Sequence, residues 1–225
     1  MEYSQETQTR VDSTVRTAVG PTILMGSGVY FDFEDPDSTP ISIEDIAFAL
    51  AFEGRFAGQC VLRTTGKRVY YSVAEHCVRM SWLVPPEIAY DALLHEVGEA
   101  PCGDMTGPLK KLCPDYKAIE KRCEASQHRR FQVPMKDKEL VKEYDILMLA
   151  WERRDLTPWN GETWSFTPKF PVPPEILVPW GPYKAARRFI ARFREVAPAD
   201  VLRQCGYGRP LAFRLREAWR LNRAA

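Results

Sequence analysis

Ala92-Leu-Leu-His-Glu-Val-Gly-Glu-Ala-Pro-Cys-Gly-Asp-Met-Thr-Gly-Pro-Leu-Lys110 opens as an apolar helix and then turns to ionisable groups. His95, Glu96 and Glu99 follow Ala92, Leu93 and Leu94 at once, and Asp104 comes after a Pro/Gly break. Leaving such groups unpaired in a buried turn costs several kcal/mol, of order ~3 or more per group, so they must be paired or bind a metal. On a helix His95 and Glu96 lie about 100° apart and both lean toward one ion, while His95 and Glu99 share a face.

The chain supplies partners for this stretch. It has three histidines, and a second one, His76, sits in the first turn of a helix expected to start at the capping box Ser72-Val-Ala-Glu75. Asp145 is the lone acid at the head of the apolar run Ile146-Leu-Met-Leu-Ala-Trp151. Two imidazoles and two carboxylates from three helices would make a mixed nitrogen and oxygen site for Mn, Fe, Co or Zn, with positions left for water and phosphate. His128, among Gln127, Arg129 and Arg130, is expected to be exposed and not a ligand.

Outward from the site, the pattern is mostly helical. Ser42 and Asp45 frame a helix start feeding Ile46, Leu50 and Phe52, and further helices are expected over about 86–100, from after Pro114 and Asp115 through Phe131 to a stop at Val133-Pro134, over about 138–154 and over 183–196. Thr22 to Phe33 is β-prone, and residues 59–71 around Thr65-Gly66 read as the clearest hairpin. The Pro- and Trp-rich residues 155–182 read as irregular, with Trp151, Trp159, Trp164 and Trp180, like Tyr116 and Phe131, as core or loop anchors. The expected fold class is therefore all-α with a small N-terminal β-hairpin. It comprises a disordered lead at 1–20, one domain at 21–197 and a basic amphipathic extension at 198–225, with Leu211, Leu215 and Trp219 on one stripe.

Composition narrows the class. No run of apolar residues approaches the length of a membrane span, and the first twenty residues lack the apolar core of a signal peptide, so a cytoplasmic protein with no membrane partner is expected. Six cysteines without a C-x-x-C pair point to reduced, mostly buried thiols. From Pro182 onward eleven Lys/Arg face three Asp/Glu. That excess fits a solvated arginine face covering an acidic body better than a nucleic-acid surface. The C-terminal stripe could close the core or pair with a second subunit, which leaves a homo-oligomer open.

Taken in order, Ser-Val-Ala-Glu-His76, then His95-Glu96 with Glu99, Gly103-Asp104 and Pro108-Leu-Lys110, then Asp145 within Lys142 to Asp155, resembles the HD-domain phosphohydrolases. Within them the chain is most similar to the bacterial 5′-deoxynucleotidases and phage dATP triphosphohydrolases, over about residues 28–195. The resemblance implies a mostly helical HD-domain fold in a bacterium or a phage's host, and a metal-dependent hydrolase of a dNMP or dNTP. It implies that His76, His95, Glu96 and Asp145 bind the divalent ion, that Glu99 and Asp104 act on the attacking water or leaving oxygen, and that Arg55 contacts phosphate. Asp104 fits a turn or cap as well, and Lys110, a weaker substrate-binding candidate, fits a solvated pair with Lys111. One departure stands out: the family's pair is His-Asp, and here it is His95-Glu96. A carboxylate one methylene further out opens the alternative of a non-catalytic HD-fold protein that binds a nucleotide or a partner.

Overall fold

The computed structural model describes residues 20 to 207. The expected lead and the Leu211, Leu215 and Trp219 stripe lie outside them.

The two-stranded sheet is N-terminal. Strands β1 (Thr22–Leu24) and β2 (Tyr30–Asp32) pair antiparallel, with Ile23 opposite Phe31. Helix α1 (Ile43–Phe52) starts at a complete capping box: the Ser42 hydroxyl accepts from the Asp45 N–H, and the Asp45 carboxylate accepts from the Ser42 N–H. Helix α2 (Val73–Leu83) has only half of its expected box. Ser72 accepts from the Glu75 N–H, but the Glu75 carboxylate turns to Arg79 and to the Trp180 N–H.

The helix expected over 86–100 is broken. A 3-10 turn leads into α3 (Ala89–Leu93), Leu94 leaves helical geometry, and α4 (Glu99–Cys102) restarts after a stretch of turns containing the His95-Glu96 pair. Short α5 (Gly107–Lys110) and long α6 (Pro114–Arg130) follow, the latter taking in Pro114 and Asp115, expected to precede it. Then come α7 (Lys138–Leu156), α8 (Pro182–Val196) and α9 (Ala199–Gln204).

Residues 59–71 reverse around Thr65-Gly66 as expected, but over a shorter span than a full hairpin: one antiparallel bridge, Val61 with Arg68, with the Leu62 N–H on the Lys67 carbonyl at 2.9 Å and the Val69 N–H on the Cys60 carbonyl at 3.1 Å. On the outer edge of this turn the Val61 and Arg63 N–H groups go to the carbonyls of Leu156 and Asp155 at the end of α7, at 2.8 and 2.9 Å. Those bonds satisfy carbonyls that a helix end leaves open and dock the turn on α7.

Two apolar clusters make the core. One gathers Phe31, Ile46, Leu50, Val73, Cys77, Leu93, Phe189 and Phe193 from β2, α1, α2, α3 and α8, with Phe131 from the end of α6. The other gathers Cys60, Tyr71, Met80, Met148, Trp151, Leu156 and Leu177. Helix α2 contributes to both, so His76 in its first turn is carried between them and fully buried.

Between α7 and α8 the described chain is irregular, as expected. Trp151 Nε1 donates to the Glu175 carbonyl, and the Arg153 guanidinium lies 4.3 Å from the Trp159 ring centre, with Trp164 and Phe166 around it. Trp180 is flanked by Arg79 and Arg188, each 4.6 Å from its ring. All six cysteines are free; Cys60, Cys77 and Cys123 are buried, and Cys102, Cys113 and Cys205 are half-buried. Among the described residues no helix is long and apolar enough to cross a membrane.

Candidate metal centre

His76, His95, Glu96 and Asp145 come together, with one potential ligand atom of each lying within 4.8 Å of all the others. They arrive from α2, from the break after α3, and from α7. His76 Nε2 stands 3.3 Å from His95 Nε2 and 3.4 Å from Asp145 Oδ1, and His95 Nε2 stands 3.4 Å from Glu96 Oε1. The longer glutamate side chain therefore still brings its carboxylate to the cluster.

The far sides of both rings decide their tautomers. His95 Nδ1 lies 2.8 Å from the Ala92 carbonyl, and His76 Nδ1 lies 2.6 Å from Glu152 Oε1. A carbonyl and an ionised carboxylate only accept, so each Nδ1 carries a proton and donates it. Each Nε2 then presents a lone pair to the other ring, and two lone pairs at 3.3 Å repel unless a proton or cation lies between them. Imidazole Nε2 with Nδ1–H tied to an oxygen is also the usual arrangement of metal-binding histidine. The donor set, two nitrogens and two carboxylates, fits a divalent transition ion.

The electrostatics of the cluster favour positive charge at its centre. Burial works against ionisation of His95, yet the Glu96 carboxylate and the Cys77 thiol hold the imidazole well above its ordinary range. Burial likewise opposes the Glu96 charge, but the charge and hydrogen bond of His95 bring it down to about 2. Asp145 is held well below the usual carboxylate range against burial, by its hydrogen bond with His76 and the charges of His76, His95 and Lys142. Lys142 Nζ sits 2.6 Å from Asp145 Oδ2.

The remaining candidates flank the cluster. Arg55 is largely but not fully buried, with one terminal nitrogen 3.2 Å from Glu152 Oε2 and the other 3.9 Å from Glu96 Oε1. Glu99 does not join the four. The break at Leu94 removes the common helical face expected for His95 and Glu99, and Glu99 Oε1 instead pairs with Lys110 Nζ at 3.2 Å while Oε2 has no partner. Burial, with Glu96 and Asp104 nearby, pushes Glu99 well above the usual carboxylate range.

Lys110 is not half of a solvated pair with Lys111; it is partly buried between Glu99 and Glu120. The Asp104 N–H donates to Glu53 Oε1, and Asp104 lines a cleft of about 280 Å³ with Ala57, Met105, Thr106 and Tyr116. Burial raises Asp104, and Arg55 opposes that shift. His128 lies outside the cluster as expected but is not exposed, since its Nε2 bonds the Leu94 carbonyl at 3.1 Å.

Sequence reasoning missed Glu152. Its signal was its place seven residues after Asp145, two turns along the same helix face.

A buried histidine and carboxylate centre on a mostly helical scaffold is the class of protein this geometry defines. The chain belongs to the family of the Escherichia coli K12 uncharacterized protein YfdR, to which it is 37% identical over 180 residues, covering 80% of this chain and 96% of that one. An uncharacterized protein of Rhodobacter capsulatus is 40% identical over 118 residues, 49% of this chain and 58% of its own. No protein-family model matches the chain.

Proposed function

We propose that the chain is a divalent-metal-dependent phosphohydrolase of nucleotides, cleaving a phosphoester of a deoxynucleotide. The observation that carries this reading is the 3.3 Å approach of two imidazole Nε2 atoms, with Glu96 and Asp145 beside them. His76, His95, Glu96 and Asp145 would hold the ion, which when bound acidifies a water and neutralises phosphate oxygens. Arg55 adds a fixed cation at the edge of the cluster for the phosphoryl group. Glu99, whose pKa burial pushes up and whose Oε2 has no partner, is suited to assist proton transfer to the leaving oxygen. The cleft beside Asp104, with the Tyr116 ring in its wall, suits the nucleoside portion. The resemblance to the HD-domain phosphohydrolases supports the same chemistry. The reach of Glu96 into the cluster favours a working site over a degenerate binder.

The test is elemental analysis of the purified protein, coupled to a panel of dNMPs and dNTPs with Mn, Co or Zn. About one equivalent of bound metal and release of phosphate or tripolyphosphate from some member of the panel are expected. A protein that takes up no metal and hydrolyses nothing overturns the proposal.

A further inference from the structure

We infer that Glu152 is a positioning residue of this centre, acting through His76 and itself held by Arg55; the inference rests on the metal-dependent reading above. Glu152 is fully buried on α7. Its two oxygens are divided between two donors: Oε1 accepts from the His76 Nδ1–H at 2.6 Å, and Oε2 accepts from Arg55 at 3.2 Å. The chain thus runs from Arg55 through Glu152 and the His76 ring to Nε2, the atom that meets His95 Nε2 and Asp145 Oδ1.

Packing alone gives no reason for this arrangement. An ion pair withdrawn from water is often no more stable than apolar side chains of the same volume, so its presence on the outer nitrogen of a site histidine needs another account. A carboxylate there fixes the tautomer, stops rotation of the ring and makes Nε2 a better donor.

Arg55 is delivered to its position at a cost. Phe56 and Ala57, the next two residues, both adopt left-handed backbone (φ 54 and 51), which non-glycine residues rarely do. The Arg55 N–H bonds the Tyr71 carbonyl at 2.9 Å, one residue before the cap of the helix that carries His76. A single turn therefore sets the cation that neutralises Glu152 against the helix whose histidine Glu152 orients. Arg55 reaches both the orienting carboxylate and Glu96, so loss of either partner is felt on both sides of the cluster.

The experiment compares Mn²⁺ affinity and stoichiometry by calorimetry in the wild type, Glu152→Gln, and Glu139→Gln on the exposed start of α7. Glu152→Gln keeps the shape but loses the charge, and is expected to weaken Mn²⁺ binding about 10- to 100-fold at unchanged stoichiometry. Glu139→Gln should match the wild type. Unchanged affinity in Glu152→Gln overturns the positioning role and leaves the metal reading standing. A wild type that binds no Mn²⁺ overturns both. Should Glu152→Gln fail to fold, the wild type still answers through ¹⁵N imidazole spectra of its three histidines with and without Zn²⁺. His76 protonated on Nδ1 is expected, and the Nε2–H tautomer overturns the inference.

Discussion

Gly98 backs onto Glu124 so closely that a β-carbon added to the glycine would lie 2.9 Å from Glu124 Cβ and 3.0 Å from the Glu120 carbonyl. Its φ and ψ (−63° and −27°) are open to any residue, so the glycine just before α4 is required by the approach of α6 and not by its dihedrals. A β-carbon pressed against the α6 backbone has nowhere to yield. Gly98→Ala is expected to destabilise the fold by about 1–3 kcal/mol. Because Glu96 and Glu99 flank the position, it should also weaken metal uptake. Thermal unfolding and Mn²⁺ titration check the two effects, and a more stable Gly98→Ala protein contradicts the packing argument.

On the proposed metal-dependent reading, metal should stabilise the native chain, since the unfolded chain does not assemble His76, His95, Glu96 and Asp145. At a free concentration 100 times the dissociation constant, one site contributes about 2.7 kcal/mol. Mn²⁺ or Zn²⁺ should raise the Tm and EDTA should reverse it, while His95→Ala and His76→Ala should show no metal-dependent shift. A Tm that rises equally in both variants would place the ion elsewhere.

Glu96→Asp withdraws the carboxylate by one methylene from a position where Oε1 is 3.4 Å from His95 Nε2. The expected result is metal affinity about 10-fold weaker or more and lower hydrolysis, as for other displaced ligands. A gain of activity on shortening would mean that the natural chain is a degenerate binder.

Asp45 links the N-terminal sheet region to α1: its Oδ1 accepts from the Ser27 N–H at 2.8 Å and its Oδ2 from the Ser42 hydroxyl at 2.8 Å. Burial would raise its pKa, but the hydrogen bonds from Ser27 and Ser42 lower it below the ordinary carboxylate value. A depressed native pKa gives stability that is present above the unfolded value near 3.9 and disappears as pH falls through the native one. Asp45→Asn should cost about 1 kcal/mol near neutrality through the cap and flatten the stability curve below about pH 4. Urea unfolding of both proteins from pH 7 to pH 3 measures the difference.

Gln127 is fully buried on α6, and neither of its amide atoms has a hydrogen-bond partner. An unpaired buried polar group costs about 1–3 kcal/mol. Gln127→Met, of similar length, is expected to raise stability by about 1 kcal/mol, or about 2–4 °C in Tm for a domain this size. A lower Tm would mean that the amide is satisfied in solution.

The helices and their starts were legible in the residues because caps, proline in the first turn and apolar spacing act over a few positions. Ser42 with Asp45, Pro114, and Lys138 to Leu156 are all local features. The membership of His76, His95, Glu96 and Asp145 in one cluster was legible too, since ionisable groups at the head of apolar runs have few affordable environments. Only tertiary structure decided the rest. The end of α7 received the outer donors of Val61 and Arg63, which sets where the short turn at 60–69 docks, and the break at Leu94 separated Glu99 from the His95 face. The packing of α2 against α7 brought Glu152, an unremarked acid in the sequence, onto the outer nitrogen of His76. Local periodicity determines which face a side chain shares within its own helix. Which donors and acceptors meet between elements depends on how those faces pack, over distances that no sequence window spans.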